Sequence, residues 1–146
     1  MKVLFDTSVL VASFVVTHPR HSVCLPWLQK AQEKKIDGYL STHTFAELYS
    51  VLTRLPVKPL IPPAIAQRLI DENLSYFTAI PLTADDYRKA ISLMVRLNLP
   101  GGGIFDTIIA LAALKAKADT ILALNPNHFT RLGEDIAKKV KVSSAK

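Results

Sequence analysis

The sequence predicts an α/β fold, a three-layer α/β/α sandwich built on a mainly parallel sheet. Three observations carry that reading. Val3-Leu4-Phe5 is a short, continuous apolar run that stops at Asp6-Thr7-Ser8, as a strand buried on both faces does where it hands over to a helix. Thr120-Ile121-Leu122-Ala123-Leu124 is a second run of the same kind, ended by Asn125-Pro126. Around these runs, longer stretches with apolar residues at three- and four-residue steps alternate with short strand-like ones. That alternation places helices on both faces of a parallel sheet.

Length and composition set the bounds. The 146 residues suffice for one domain with a proper core, expected over residues 1–142, with 143–146 as a frayed basic tail. A hydrophobic fraction of 49% with 21% charged residues excludes disorder for most of the chain. The net charge of +6 favours a polyanionic partner, nucleic acid first. Cys24 is the only cysteine, which excludes an intrachain disulfide and a cysteine-based metal site. Asp6 interrupts the first apolar run too early for a signal peptide. The most apolar later stretch, residues 104–114, contains Asp106 and is far shorter than the ~20 residues a bilayer crossing needs. The expectation is a cytoplasmic protein without membrane contact.

Taken in order, the pattern after Asp6 is helical to about Val16, and Pro19 opens a second helix carrying Trp27 and Leu28 and ending in a Lys-rich stretch. Asp37-Gly38 reads as a turn and Tyr39-Leu40-Ser41 as a short strand. Phe45, Leu48, Leu52 and Leu55 recur at helical spacing and predict one apolar face. Residues 55–63 hold four of the nine prolines and make a stiff connection rather than a helix. Residues 64–74 form the next helix, with Ile65, Leu69 and Ile70 expected inward. Residues 76–82 read as a buried strand. Thr83-Ala84-Asp85-Asp86 opens a helix that runs to Leu97, and Gly101-Gly102-Gly103 separates it from a very apolar helix over 104–117. After the 119–124 strand, residues 128–132 suggest one more turn, and Val140-Lys141-Val142 a weak last strand.

Three acids stand where an acid is costly unless used. Asp6 ends a buried strand, Glu47 lies in the first turn of its helix, and Asp106 lies in the apolar 104–114 segment. Each has a structural alternative: Asp6 as a helix cap, Glu47 as partner of Thr44 in a capping box, and Asp106 as a charge at its helix's positive end. All three, however, follow loops at the carboxyl edge of the sheet, where open α/β folds build their sites. Three carboxylates gathered there repel one another unless a cation intervenes, and hard oxygen ligands select Mg²⁺ or Mn²⁺ over zinc.

Other chemistries fail on residues. The glycines at 101–103 follow a helix and lack the dinucleotide-binding spacing, and no phosphate-binding loop is present. A haloacid-dehalogenase-type phosphatase wants an acid where Ser8 stands, and a receiver domain wants paired acids after the first strand. The four histidines have no metal-ligand spacing; His18, His21 and His43 read as surface or loop residues, and His128, nearer the acids, as structural.

Val3-Leu4-Phe5-Asp6-Thr7-Ser8, Thr44-Phe45-Ala46-Glu47-Leu48, Ile104-Phe105-Asp106-Thr107-Ile108-Ile109-Ala110 and the segment from Ala118 through Asn125 to Phe129 resemble, in order and spacing, the PIN-domain ribonucleases, the VapC-like toxins of toxin–antitoxin pairs above all. The resemblance implies a parallel sheet flanked by helices and Mg²⁺- or Mn²⁺-dependent cleavage of RNA. It implies Asp6 and Asp106 as metal ligands, Glu47 as a third acid on the metal or its water, and Ser8 or Thr7 as hydrogen-bond donors to a ligand carboxylate or a phosphate. Asn125 stands where the family usually carries a fourth acid, so a second metal site is in question. A small antitoxin protein and a homodimer are the implied partners, with Tyr49, Leu52 and Leu60 as candidate apolar surface. Arg54, Lys58, Arg88 and Lys89 are candidates for guiding RNA. The competing reading is a catalytically weak or inactive module that keeps the fold and holds RNA or a protein without cutting.

Overall fold

The computed structural model describes residues 1–142; the tail expected at 143–146 lies outside the described residues. The elements are β1 (Lys2–Phe5), α1 (Thr7–Phe14), α2 (His21–Gln32), β2 (Asp37–Ser41), α3 (Thr42–Arg54), α4 (Pro63–Asn73), β3 (Thr78–Ile80), α5 (Ala84–Arg96), α6 (Gly103–Ala116), β4 (Thr120–Ala123), α7 (Asn127–Thr130), α8 (Glu134–Ala137) and β5 (Val140–Val142). The five strands form one sheet in the order β3-β2-β1-β4-β5, and every pairing is parallel.

The apolar runs at the two ends of the chain are the sheet's centre. Val3, Leu4 and Phe5 are fully buried, as are Ile121, Leu122 and Ala123 of the neighbouring strand. Alternation sends them to opposite faces. Val3, Phe5 and Leu122 pack with the core residues of α1, α2, α3 and α4, such as Leu10, Leu28, Leu48 and Ile70. Leu4, Ile121 and Ala123 pack with Ile109, Ala112 and Ala113 of α6 and with Phe129, Leu132 and Ile136 near α7 and α8. That is the three-layer sandwich the sequence predicted. The sheet grows outward from β1 through β2 to β3, then resumes on β1's other side at β4, so the order reverses between β1 and β4. A crevice opens at such a reversal, outside the carboxyl ends of the strands.

Several expectations are corrected. Asp37 and Gly38 are not a turn but the start of β2, paired with Lys2 and Val3. Glycine is there for space: a Cβ on Gly38 would come 2.8 Å from the Phe77 ring and 3.1 Å from Ala31, and that ring packs edge-on against Phe5 at 5.0 Å. The strand expected over 76–82 is only Thr78–Ile80. It is the sheet's edge, with Thr78 exposed, and not a buried strand. In α4 the inward residues are Ala66 and Ile70, whereas Ile65 is 41% exposed, because a small residue lets the helix approach the core and turns Ile65 outward. In α3, Leu48 and Leu52 face the core and Phe45 does not. Leu52 is therefore core and not surface, while Tyr49 and Leu60 are exposed as expected. The short helix α8 was not foreseen. The Thr83–Asp86 pair, by contrast, forms a complete capping box, and Lys115 of α6 reaches Asp86 at 2.9 Å. Asp86 is thereby held down at about 2 by the Thr83 cap and Lys115. Among the described residues no helix is long and apolar enough to cross a membrane.

The Gly38 contact makes a prediction about stability. Gly38→Ala should cost about 1–3 kcal/mol in urea unfolding, the usual penalty for overpacking a core. A loss under about 0.5 kcal/mol, the range of an inert surface change, would mean that the Phe77 ring moves aside freely.

Candidate active site

The crevice collects the three acids from three different elements. Asp6 follows β1 at the entrance to α1, and its backbone N–H continues the ladder to the Leu122 carbonyl at 2.9 Å. Its side chain does not cap α1 with a regular hydrogen bond; it accepts instead from Ser8 Oγ at 2.5 Å. Ser8 Oγ in turn accepts from the Leu124 N–H at 3.4 Å, tying the acid to the end of β4. Burial pushes the Asp6 carboxyl up from its ordinary value, against the Ser8 hydrogen bond and the nearby backbone N–H groups of Ser8 and Thr7.

Glu47 is not the partner of a Thr44 cap. The cap of α3 is Ser41, whose side chain accepts from the His43 N–H at 3.2 Å, so the helix starts earlier than the Thr44–Glu47 pairing needs. Freed from that task, Glu47 turns into the crevice, where Oε1 is buried with no hydrogen-bond partner. The nearest base is His43, with Nε2 4.0 Å away. Burial first, then the charges of Asp6 and Asp106, push Glu47 up to about 7. The Thr7 hydroxyl pulls the other way without closing a regular bond, since its own Oγ1 is buried and unpaired. A cavity of about 320 Å³ opens beside Glu47, lined also by His43, Ser50, Val51 and Phe105. The His43 and Phe105 rings stack across it, 5.5 Å between centroids and 10° from parallel, joining α3 to α6.

Asp106 stands in the first turn of α6. Burial and the Asp6 charge raise its pKa, while His128 and Arg131 lower it. His128 Nδ1 lies 3.6 Å and Arg131 Nη2 3.9 Å from Asp106 Oδ2. Asn125, just past β4, reaches His128 rather than an acid: its Nδ2 lies 3.0 Å from His128 Nε2. The groups acting on the acids thus include His128, which the sequence reading took as structural, and Arg131, which it did not single out. Arg54, Lys58, Arg88 and Lys89 are not among them. Arg88 and Lys89 line a separate groove of about 650 Å³ along α5 and α8. The available signal was position: both bases follow within one short helix of the strand paired with β1.

The three acids feel one another but do not close into a cage. Among the described residues no three His, Cys, Asp or Glu side chains stand close enough to hold a metal ion as they lie. The donor chemistry nevertheless fits a hard cation. A buried carboxylate oxygen and a buried hydroxyl have no partner, two further carboxyls are raised by burial, and all the unsatisfied donors are oxygens.

The comparisons with known proteins show the family and the fold. The PIN domain family model covers residues 3–135. The chain belongs to the PIN-domain family. Ribonuclease VapC27 of Mycobacterium tuberculosis is 31% identical over 114 residues, 78% of each chain. Ribonuclease VapC40 of the same species is 34% identical over 114 residues, 77% of this chain and 79% of that one. Among solved structures, VapBC2 from Rickettsia felis bound to a promoter DNA fragment aligns at a TM-score of 0.69, with 20% identity over 97% of this chain and 98% of that one. Mycobacterium tuberculosis VapC20, a toxin that cleaves the sarcin-ricin loop, aligns at 0.69, with 17% identity over 86% of this chain and 92% of that one. At those identities the two structures speak for the shared PIN fold.

The raised Glu47 pKa sets a pH dependence. Between its ordinary value near 4.5 and about 7, the folded chain keeps a proton that the unfolded chain has released. Metal-free stability from this group therefore falls as pH rises through that window. Glu47→Gln should melt higher than wild type at pH 8 without metal, and the difference should shrink towards pH 5. A constant difference across that range would place Glu47 outside the coupled acids.

Proposed function

We propose that the protein is a Mg²⁺- or Mn²⁺-dependent endoribonuclease that hydrolyses RNA phosphodiester bonds, acting as the toxin of a toxin–antitoxin pair. One feature carries the reading: burial raises the carboxyls of three acids from three elements in a single crevice, and the charges of Asp6 and Asp106 push Glu47 further, to about 7. The PIN family and the VapC ribonuclease relatives support the choice of RNA.

Asp6 and Asp106 are the metal ligands in this reading, and Glu47 is a third acid serving the ion or the attacking water. A bound ion supplies Lewis-acid polarisation of a phosphate oxygen and a more acidic water. The chain's own groups do the rest. Glu47 Oε1 accepts the proton of the attacking water as its oxygen bonds to phosphorus. The bond from phosphorus to the leaving ribose oxygen breaks, and that oxygen takes a proton from solvent. A base works best with a pKa near the working pH, which is where Glu47 lies. Ser8 holds Asp6 in its rotamer. Asn125 brings an amide in place of a fourth charge and reaches the site through His128.

Tyr49 and Phe45 border a cavity of about 620 Å³ between α3 and α4, with an apolar lining on which a small antitoxin or a second copy of the chain would bury surface. The complexes seen for VapBC2 of Rickettsia felis and FitAB, structures of the same fold, support a protein partner of this kind.

Single-stranded RNA should be cut with Mg²⁺ or Mn²⁺ and spared with chelator. Asp6→Asn and Asp106→Asn should each lose cleavage by a factor of about 100 or more, the scale of removing a key electrostatic group, while their metal-free melting temperatures hold or rise. Cleavage that survives chelator with the same products would overturn the reading. A large loss of stability in both variants would make the acids structural instead.

A further inference from the structure

Gly103 opens α6 three residues before Asp106, and its missing side chain is filled by another residue's charge. A Cβ there would lie 2.8 Å from Arg131 Nη2 and 3.7 Å from its Cζ. The guanidinium shares this space with the Met94 methyl, 3.1 Å from the same point, and reaches over the start of α6 to the flank of Asp106. The contact it makes with that acid is an incomplete one. At 3.9 Å, Nη2 is beyond hydrogen-bond range of Oδ2, whereas an arginine committed to a carboxylate closes to about 2.7–2.9 Å and often binds with two donors. The Arg131 side chain is 41% exposed, so part of its fork of donors remains open to solvent beside Asp106. His128 stands 3.6 Å from the same carboxylate oxygen, with its far nitrogen held by Asn125.

We propose that Arg131 is a phosphate-binding residue of this site, its guanidinium taking the non-bridging oxygens of the RNA phosphate beside Asp106. The inference rests on the ribonuclease reading above and adds to it a residue that the arrangement of acids does not supply. Its physical basis is a mismatch of sign. A fixed positive charge against a metal-binding carboxylate opposes the cation, so a group whose only task were to retain metal would not be an arginine. The charge serves the other occupant of the crevice, an anion. A planar fork matches two phosphate oxygens as a lysine's single ammonium does not.

The sign argument gives the test two readouts that move in opposite directions. Arg131→Ala and Arg131→Lys are made in the full chain, and Mn²⁺ binding is measured calorimetrically alongside cleavage of a single-stranded RNA oligonucleotide. Arg131→Ala should lower the cleavage rate at saturating Mn²⁺ by about 10- to 100-fold, the range for losing a hydrogen bond to a charged group. Its Mn²⁺ affinity should stay the same or tighten. Arg131→Lys should recover part of the rate. Loss of Mn²⁺ affinity together with rate in Arg131→Ala would make the residue a structural support of Asp106 and overturn the proposal, as would an unchanged rate. Wild-type protein that neither binds Mn²⁺ nor cuts would instead overturn the ribonuclease reading, and this inference with it. Wild-type protein that does both beside an unaffected Arg131→Ala overturns the inference alone.

Discussion

The constraint on which the rest depends is a carboxylate buried at the end of a central parallel strand. Asp6 is only 8% exposed, and its pKa is raised by that burial despite the Ser8 hydrogen bond. Taking such a group out of water is expensive, and a protein that needed only a helix cap would gain little from it. The sheet creates the position. With β1 flanked by β2 and β4 and covered on both faces, whatever follows Phe5 emerges into the crevice where strand order reverses.

The second and third acids make sense as consequences of that placement. α3 delivers Glu47 because Ser41 ends β2 and caps the helix in a single step, so Glu47 falls on the face turned towards Asp6. α6 delivers Asp106 because Gly103 starts the helix close under Arg131. The basic groups then come from the opposite direction, after β4. Asn125 fixes His128, and His128 and Arg131 both lie against Asp106. The site is therefore polarised, with His128 and Arg131 both gathered on the Asp106 side of the acids. In the proposed reading, a cation on Asp6 and Asp106 and a phosphate on Arg131 would each meet a charge of opposite sign.

Much of this was legible in the sequence, for a physical reason. Strands buried on both faces tolerate only apolar residues, so 3–5 and 121–123 stand out, and an acid or amide closing such a run is conspicuous. Contacts set by tertiary packing were not legible. Gly38 looks like a turn residue because nothing local reveals the Phe77 ring above it. Ile65 fits an inward helical pattern, yet Ala66 wins the core position because it allows closer approach. The capping box at Thr44 obeys the local rule but loses to Ser41, whose strand pairing with Ile80 fixes where α3 begins. Arg131 escaped notice because its role depends on a glycine 28 positions earlier in the chain.

The central claim is that the chain spends folding energy to keep three carboxylates together for a divalent cation. Calorimetric titration of Mn²⁺ into the metal-free protein at pH 7, in two buffers of different ionisation enthalpy, tests it most directly. The account predicts saturable binding that releases a fraction of a proton, because Glu47 is partly protonated at that pH and must lose its proton to serve the ion. Release should vanish in Glu47→Gln, and binding should vanish in Asp6→Asn. Saturable binding with no proton release in the wild type, or equal affinity in Asp6→Asn, would contradict it.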